Sequence, residues 1–425
     1  MAEIKKITTT KLSNLLKELG ADDYGFVDIE NPAIQVDREY IDICFPKTKT
    51  LVSIVCHMNR EPVKSLNRSV ANLEFHHVGT QVDEIARNLV SKLEQQGIKA
   101  VNPAMAFPME LEEFPGRGWV VSHKLVAKEA GLGEIGIHRN LIHPKFGSFV
   151  LLGTVLIEAE VDQLSKPIDF NPCFDCKLCV AACPVGAIKS DGYFDFSSCY
   201  THNYQQFMGG FVNWIEDIAD SKSAKDYRKK VSYPETVNRW QSLSYKPNYN
   251  AAYCIAVCPA GENVIGEYLN DKKQHLNDVL KPFQNKSEQI YVTKDSDAEA
   301  HVLKRFPNKK LRVVRSNGRV TNIKNFILGI KLSFQRGQSK GLNATYHFSF
   351  TGQETQKITI KIYGGKLEVF EGHVGTPNLK LEADSIAWVK FLNKEISIFR
   401  CLVIRKIKLK GSLKLLPAFG KCFPD

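Results

Sequence analysis

Residues 173–184 read CFDCKLCVAACP. Cys173, Cys176 and Cys179 recur at a spacing that lets one loop wrap three corners of a cube. Cys183 follows after a wider step, and Pro184 turns the chain away. This C-x2-C-x2-C-x3-C-P run is that of the bacterial two-cluster ferredoxins, in which the fourth cysteine ligates the other cluster. Zinc is the competing metal, but it favours two paired CxxC arms over one continuous run.

A two-cluster reading needs a second set of thiols, and Cys199, Cys254 and Cys258, the last followed by Pro259, supply it. By the same swapping rule Cys258 completes the cube begun by Cys173, Cys176 and Cys179. Cys183, Cys199 and Cys254 are then left for the second cube, which has three thiolates. That centre is either [3Fe–4S] or takes a ligand other than cysteine. His202, three residues after Cys199, is the candidate nitrogen donor, and nitrogen in place of sulfur raises the potential. The plain alternative is a surface or core histidine.

A chain of 425 residues is too long for one core. With 43% hydrophobic and 24% charged residues it is of globular composition, neither disordered nor fibrous. The opening MAEIKKITTT has no apolar core of a secretory signal. The most apolar stretch, FGSFVLLGTVLI, is too short to span a bilayer. The expectation is a cytoplasmic protein, where clustered cysteines mean metal or catalysis rather than disulfides. Cys44, Cys56, Cys401 and Cys422 lie in apolar surroundings and read as inert core thiols.

The hydrophobic pattern outlines an α+β protein. Thr9 or Thr10 can cap an opening helix through Leu12, Leu15, Leu16 and Leu19, ended by Gly20. Leu51–Cys56 and Ser148–Ile157 read as buried strands, and 80–96 as an amphipathic helix through Val82, Ile85, Leu89 and Leu93. Residues 1–165 are thus a mixed α/β domain. Residues 166–270 form a two-cluster ferredoxin-like insert, with a polar, aromatic-rich stretch between its cysteine blocks. The polar 271–319 reads as a connector.

From 320 to 425 the pattern is that of a second α+β unit. In ATYHFSF, Tyr346, Phe348 and Phe350 share one face; in QKITIKI, Ile358, Ile360 and Ile362 do. Gly364–Gly365 turns the chain into KLEVF. Asp384 caps a helix through Ile386, Trp388 and Leu392, and strand VIRKIKLKG and helix SLKLLPAFGKCF close the unit.

Residues 5–265 resemble the epoxyqueuosine reductases and the related cobalamin-dependent reductive dehalogenases. The resemblance rests on DYGFVDI, EFHH at Glu74–His77, KEAGLGEIGIH at Lys128–His138, FGSFVLLGTVLIE and the cysteine blocks. It implies an iron–sulfur oxidoreductase that takes single electrons from a ferredoxin or flavodoxin. It also implies cobalamin as the acceptor, although no D-x-H-x-x-G element for a lower histidine ligand is present. There are two departures. The family's second block begins with a cysteine where this chain has Ala251, and its proton-donating aspartate falls where this chain has Arg117. The second departure weakens a tRNA-modifying reading. Arg117, His123 and His138, with Lys124 beside them, remain as groups that could protonate or orient a substrate.

Residues 320–425 resemble the sterol carrier protein type-two fold through NATYHFSFTG, ITIKIYGGKLEVF, ADSIAWVKFL and KIKLKGSLKLLPAF. That resemblance implies a lipid-like ligand. Residues 301–425 hold 24 Lys+Arg against 7 Asp+Glu, a charge of +17, whereas the first 300 hold 33 against 39, or −6. Such a surface suits peripheral contact with anionic lipid, or is simply a solvated basic face. No recognised nucleic-acid motif accompanies it, so nucleic acid is disfavoured. The alternative to an enzyme is a ferredoxin-type electron carrier docked by its lipid-binding domain.

Overall fold

The computed structural model describes residues 5–111, 118–316 and 318–424. Contacts divide the chain into two units: Met1–Cys183 with Ile188–Phe194 and Ala252–Asn285, and Pro184–Ala187 with Asp195–Ala251 and Lys286–Asp425. No helix among the described residues is long and apolar enough to cross a membrane.

The first unit is built on a four-stranded antiparallel sheet, in the order Asp23–Asp28, Thr50–His57, Val150–Ile157, Ala100–Val101. Seven of the eight residues in Thr50–His57 are buried, because helices cover both faces of the sheet. A half-buried sheet would show polar alternation; this one shows the continuous apolar run LVSIVC. Arg68–Glu94 lies along one face, where Gly153 admits it: a Cβ there would meet Val82 at 2.6 Å. His123–Glu129 covers the other face, burying Val126 and Ala127 against Leu51, Val55, Leu152 and Leu156.

The opening helix, Thr9–Glu18, is capped by Thr8 rather than Thr9 or Thr10. The Thr9 hydroxyl instead donates to Asp162 at 2.6 Å, tying the helix to the end of the sheet. Arg68–Glu94 starts well before residue 80, since Glu74, buried within its first half, spends its carboxylate on the Asn59 amide (2.6 Å).

The second unit holds a five-stranded sheet in the order Lys366–Glu371, Gln356–Tyr363, Ala344–Thr351, Leu379–Asp384, Ile407–Gly411. All its pairings are antiparallel except that of Ala344–Thr351 with Leu379–Asp384. Tyr346, Phe348 and Phe350 point inward together and meet Phe326, Trp388 and Phe419 from the helices. Asp384 caps Ser385–Leu392, accepting from the Ala387 amide at 3.0 Å. The strand read as VIRKIKLKG begins only at Ile407, because Val403 closes the helix Ile398–Val403. The 271–319 stretch carries regular elements. Gln289–Thr293 and Lys310–Val314 pair in parallel across the helix Asp297–Arg305. The aromatic-rich stretch between the cysteine blocks is helical at Gly209–Ala219, Ala224–Lys230 and Tyr233–Tyr245.

Candidate iron–sulfur site

Two arms of the first unit carry six of the seven expected ligands. In the first arm Lys177 adopts a left-handed φ of +50° ahead of the short helix Leu178–Ala182, so Cys176 and Cys179 flank a tight turn. The second arm is Tyr253–Ala256 and the loop after it, bearing Cys254 and Cys258, and its helix packs on Leu178–Ala182. Two glycines set where that second arm lies. Gly147, within FGSFV, and Gly261 face each other so closely that a Cβ on either would collide with the opposite backbone. The amides of Glu262 and Asn263 then bond to the carbonyls of Pro144 and Lys145 at 2.8 and 3.0 Å.

As a result Cys258 packs with Cys173 around Ile142 and Ala260. A cavity is lined by Cys173, Cys176, Cys179 and Cys258, with Ile137, His138 and Ile142 completing the wall. Cys179 and Cys258 are buried, and Cys173 and Cys176 half-buried. Among the described residues no three His, Cys, Asp or Glu side chains are placed to hold a single metal ion. A cubane asks for something different: each thiolate meets its own iron, so the sulfurs ring a cavity instead of converging on a point.

The electrostatics of these thiols suit that chemistry. Burial, and then the neighbouring thiols, push Cys179 up. Burial pushes Cys258 up to about 11, against the pull of the Ala260 amide and the Ser148 hydroxyl. Cys254 rises to about 12, first through burial and then through Cys183 and Cys258. Dry, mutually repelling thiols hold their protons until a cation replaces them. Hydrogen bonds to sulfur are already in place: the Ile137 amide donates to Cys173 Sγ at 3.4 Å, and Asn140 Nδ2 lies 3.9 Å from Cys254 Sγ.

His138 belongs to this site. Its Nδ1 accepts the Asn140 amide at 3.2 Å, which leaves the proton of the neutral ring on Nε2. Nε2 is buried and has no hydrogen-bond partner, in a residue that lines the cysteine cavity. Burial, and then Lys124, lower His138 to about 4, so the ring is neutral near pH 7.

His123 lies elsewhere, in the wall of a second cavity of about 550 Å³ lined also by Cys44, Ala104, Glu110, Trp119 and Val121. Its Nε2 reaches the Ala104 carbonyl at 3.1 Å and its Nδ1 the Thr154 hydroxyl at 2.9 Å. A carbonyl can only accept, so Nε2 carries the proton and Nδ1 receives the Thr154 hydroxyl. Burial lowers the His123 pKa. Its neighbour Lys124 turns the other way: its Nζ donates to the Arg139 carbonyl and to Asn140 Oδ1, both at 2.9 Å. Neither Glu110 nor Cys44 stands in a motif that would place it in this wall. Burial and then the Glu110 charge raise the Cys44 thiol. Arg117 lies outside the described residues.

Cys199 stands in the second unit on the helix Phe196–Asn203, capped by the buried Asp195. Asp195 accepts from Ser198 and from Gln335 Nε2 at 3.1 Å, and burial raises its pKa. Tyr200, Tyr204, Phe207 and Tyr249 pack together here, Tyr204 meeting Phe207 and Tyr249 edge-on. His202 is buried, its Nδ1 accepting the Tyr291 amide at 3.3 Å, and burial lowers it to about 4. The Ala251 amide donates to Asn203 Oδ1 at 2.9 Å.

Residues 166–189 match the 4Fe-4S binding domain, and residues 331–423 match the SCP-2 sterol transfer family. The epoxyqueuosine reductase of Leadbetterella byssophila is 34% identical over 158 residues, 32% of this chain and 51% of that protein. The chain is related to the epoxyqueuosine reductases. That of Synechococcus sp. (strain RCC307) is 33% identical over 169 residues, 38% of this chain and 48% of that protein. The chain thus spans about half the length of these curated relatives. A solved epoxyqueuosine reductase from Streptococcus thermophilus overlays 69% of this chain and 97% of that one at 14% identity, with a TM-score of 0.35. The family match on the cysteine loop makes this an iron–sulfur protein with an SCP-2 segment at its C-terminal end.

Proposed function

We propose that the chain is an iron–sulfur reductase in which Cys173, Cys176, Cys179 and Cys258 hold one [4Fe–4S] cluster. The observation that supports this best is that Cys258, from a separate stretch, lines the same cavity as the other three. Cys183 and Cys254 belong to a second centre, to which Cys199 is assigned by its place in the sequence framework. With three thiolates that centre is [3Fe–4S] or takes a ligand other than cysteine. His202 is the weaker choice for that ligand, since its Nδ1 already holds the Tyr291 amide. When bound, the clusters supply one-electron transfer from a donor such as a ferredoxin or flavodoxin.

The protein's own groups do the rest. The Ile137 amide donates to Cys173 Sγ, stabilising negative charge there, and the Ala260 amide lowers the Cys258 thiol against its burial. His138, in the wall of the cysteine cavity, holds a buried proton at Nε2. Lys124 places positive charge near Cys254, lowering that thiol against its burial. On the same helix His123 fixes the Ala104 wall of the second cavity, which we assign to the acceptor. Glu110 at its rim is the acid available there, in place of the aspartate that Arg117 replaces. At about 550 Å³ this cavity suits a drug-sized molecule. A corrinoid is larger than this cavity.

The substrate is apolar, delivered or retained by the SCP-2 segment. There Trp388 Nε1, buried and without a hydrogen-bond partner, offers one donor in an aromatic layer to the polar end of a lipid-like ligand. The test is an oxygen-free purification with iron and cobalt counted together, followed by assay of turnover with reduced ferredoxin. Iron without cobalt, and reduction of an apolar acceptor, are expected. Rescue of an epoxyqueuosine-accumulating strain would favour a tRNA-modifying enzyme and contradict this substrate assignment.

A further inference from the structure

The C-terminal end of the second unit combines two features that soluble proteins usually keep apart. Residues 386–421 hold nine Lys or Arg and one acid, Glu395, and all nine cations are exposed. Within that segment the helix Ile398–Val403 turns apolar residues outward. Cys401 faces the core, with Ile398 and Leu402 packed against it. Phe399 and Val403, one turn apart on the opposite side, are 73% and 64% exposed, and Ile404 is 50% exposed. Arg400, Arg405 and Lys406 interleave with them. On the adjoining edge strand Lys408 and Lys410 are exposed, and Lys410 pairs with exposed Lys380 on the next strand.

An isolated exposed phenylalanine would mean little. Here an exposed aromatic and two aliphatic residues interleave with cations, of which Lys406 is paired with Asp384 at 3.0 Å. This is the composition of an element that lies in the headgroup layer, burying its apolar tips while its basic side chains meet anionic lipid. We propose that Phe399, Val403 and Ile404, with Arg400, Arg405 and the edge-strand lysines, form a docking surface for an anionic membrane. This inference is independent of the redox reading and stands if that reading fails. A second copy of the chain is a poorer occupant, because the isologous contact would bring these cations against themselves. RNA would use the charge but would gain little from two exposed aliphatic side chains.

The experiment is co-sedimentation of the full-length protein with vesicles of phosphatidylcholine alone or mixed equally with phosphatidylserine, at low and high salt. Binding is expected to the mixed vesicles only, and to weaken at high salt. Arg400→Ser should weaken it about fivefold, and Phe399→Ser with Val403→Ser about tenfold or more. Both apolar side chains are outside the core, so the double variant should keep the melting temperature of the parent. Equal binding to both vesicles would overturn the proposal. So would a double variant that binds as well as the parent, or one whose only change is loss of self-association. Retention of RNA rather than vesicles, unaffected by the double variant, would assign the surface to nucleic acid instead.

Discussion

Replacing His138 with leucine separates the redox account from a merely structural one. The imidazole lines the cavity of Cys173, Cys176, Cys179 and Cys258, and its Nε2–H is buried and unpartnered. In the cluster-free protein that orphaned donor costs about 1–3 kcal/mol. Leucine removes this cost but strands the Asn140 amide, which now donates to Nδ1, at a cost of about 1 kcal/mol. The stability of the cluster-free form should therefore hold or rise slightly. With a cluster present the donor has negative sulfur to meet, and a hydrogen bond to a charged group is worth roughly 1.5–3 kcal/mol. If about 1 kcal/mol of that is specific to the reduced state, a one-electron couple at about 59 mV per tenfold falls by roughly 40 mV. The assay is an oxygen-free redox titration followed by electron paramagnetic resonance. The first centre should move to lower potential and the second should stay put. An unchanged potential in a variant with full iron content would refute the assignment of His138 to this site.

Cys183→Ala should remove the signal of the second centre and keep that of the first; loss of both equally would contradict the division of ligands. Glu110→Gln should cut turnover roughly tenfold to a hundredfold while leaving iron content and visible spectrum unchanged, as loss of a general acid does; unchanged turnover would remove Glu110 from the chemistry. His202→Gln should retain full iron content, measured colorimetrically, because the ring serves the Tyr291 amide. The same variant tests an acid dependence. The folded value of about 4 lies below the ordinary 6.5, so the neutral ring favours the fold fully above pH 6.5 and this advantage is lost as pH falls toward 4. The loss amounts to about 3 kcal/mol, and acid unfolding of the cluster-free protein should become shallower in the variant. Phe348→Ala should cost about 3–5 kcal/mol in denaturant unfolding, since the ring is buried among Phe326, Trp388 and Phe419.

What could be read from the sequence was whatever depends on spacing. The cysteine run, the inward faces of ATYHFSF and QKITIKI, the Gly364–Gly365 turn and the Asp384 cap are local periodicities, and their elements formed as the periodicity required. The Arg68–Glu94 helix was read short because its first turns bury polar groups such as Asn72 and Glu74, which break the apolar stripe. The 271–319 stretch looked like a connector because its strands are only five residues each and its helices show polar faces. In VIRKIKLKG only IKLKG alternates strictly; the β-branched Val403 and Ile404 before it suit a strand by residue type, yet they are exposed at a helix end. The cavity of Cys44, Glu110 and His123 is assembled from three distant stretches with no shared motif. Nor could spacing show that His138, whose Nδ1 takes the Asn140 amide, would line the cysteine cavity with its Nε2 unpartnered.

The most direct test of the central claim is the effect of Cys258→Ala on the reduced, anaerobically prepared protein. Thiols from two separate stretches are held to cage one cluster, so the variant should lose the [4Fe–4S] resonance of the first centre and the corresponding iron, even though the whole Cys173–Cys183 run is intact. A variant that keeps both resonances and the iron content of the parent would contradict the account.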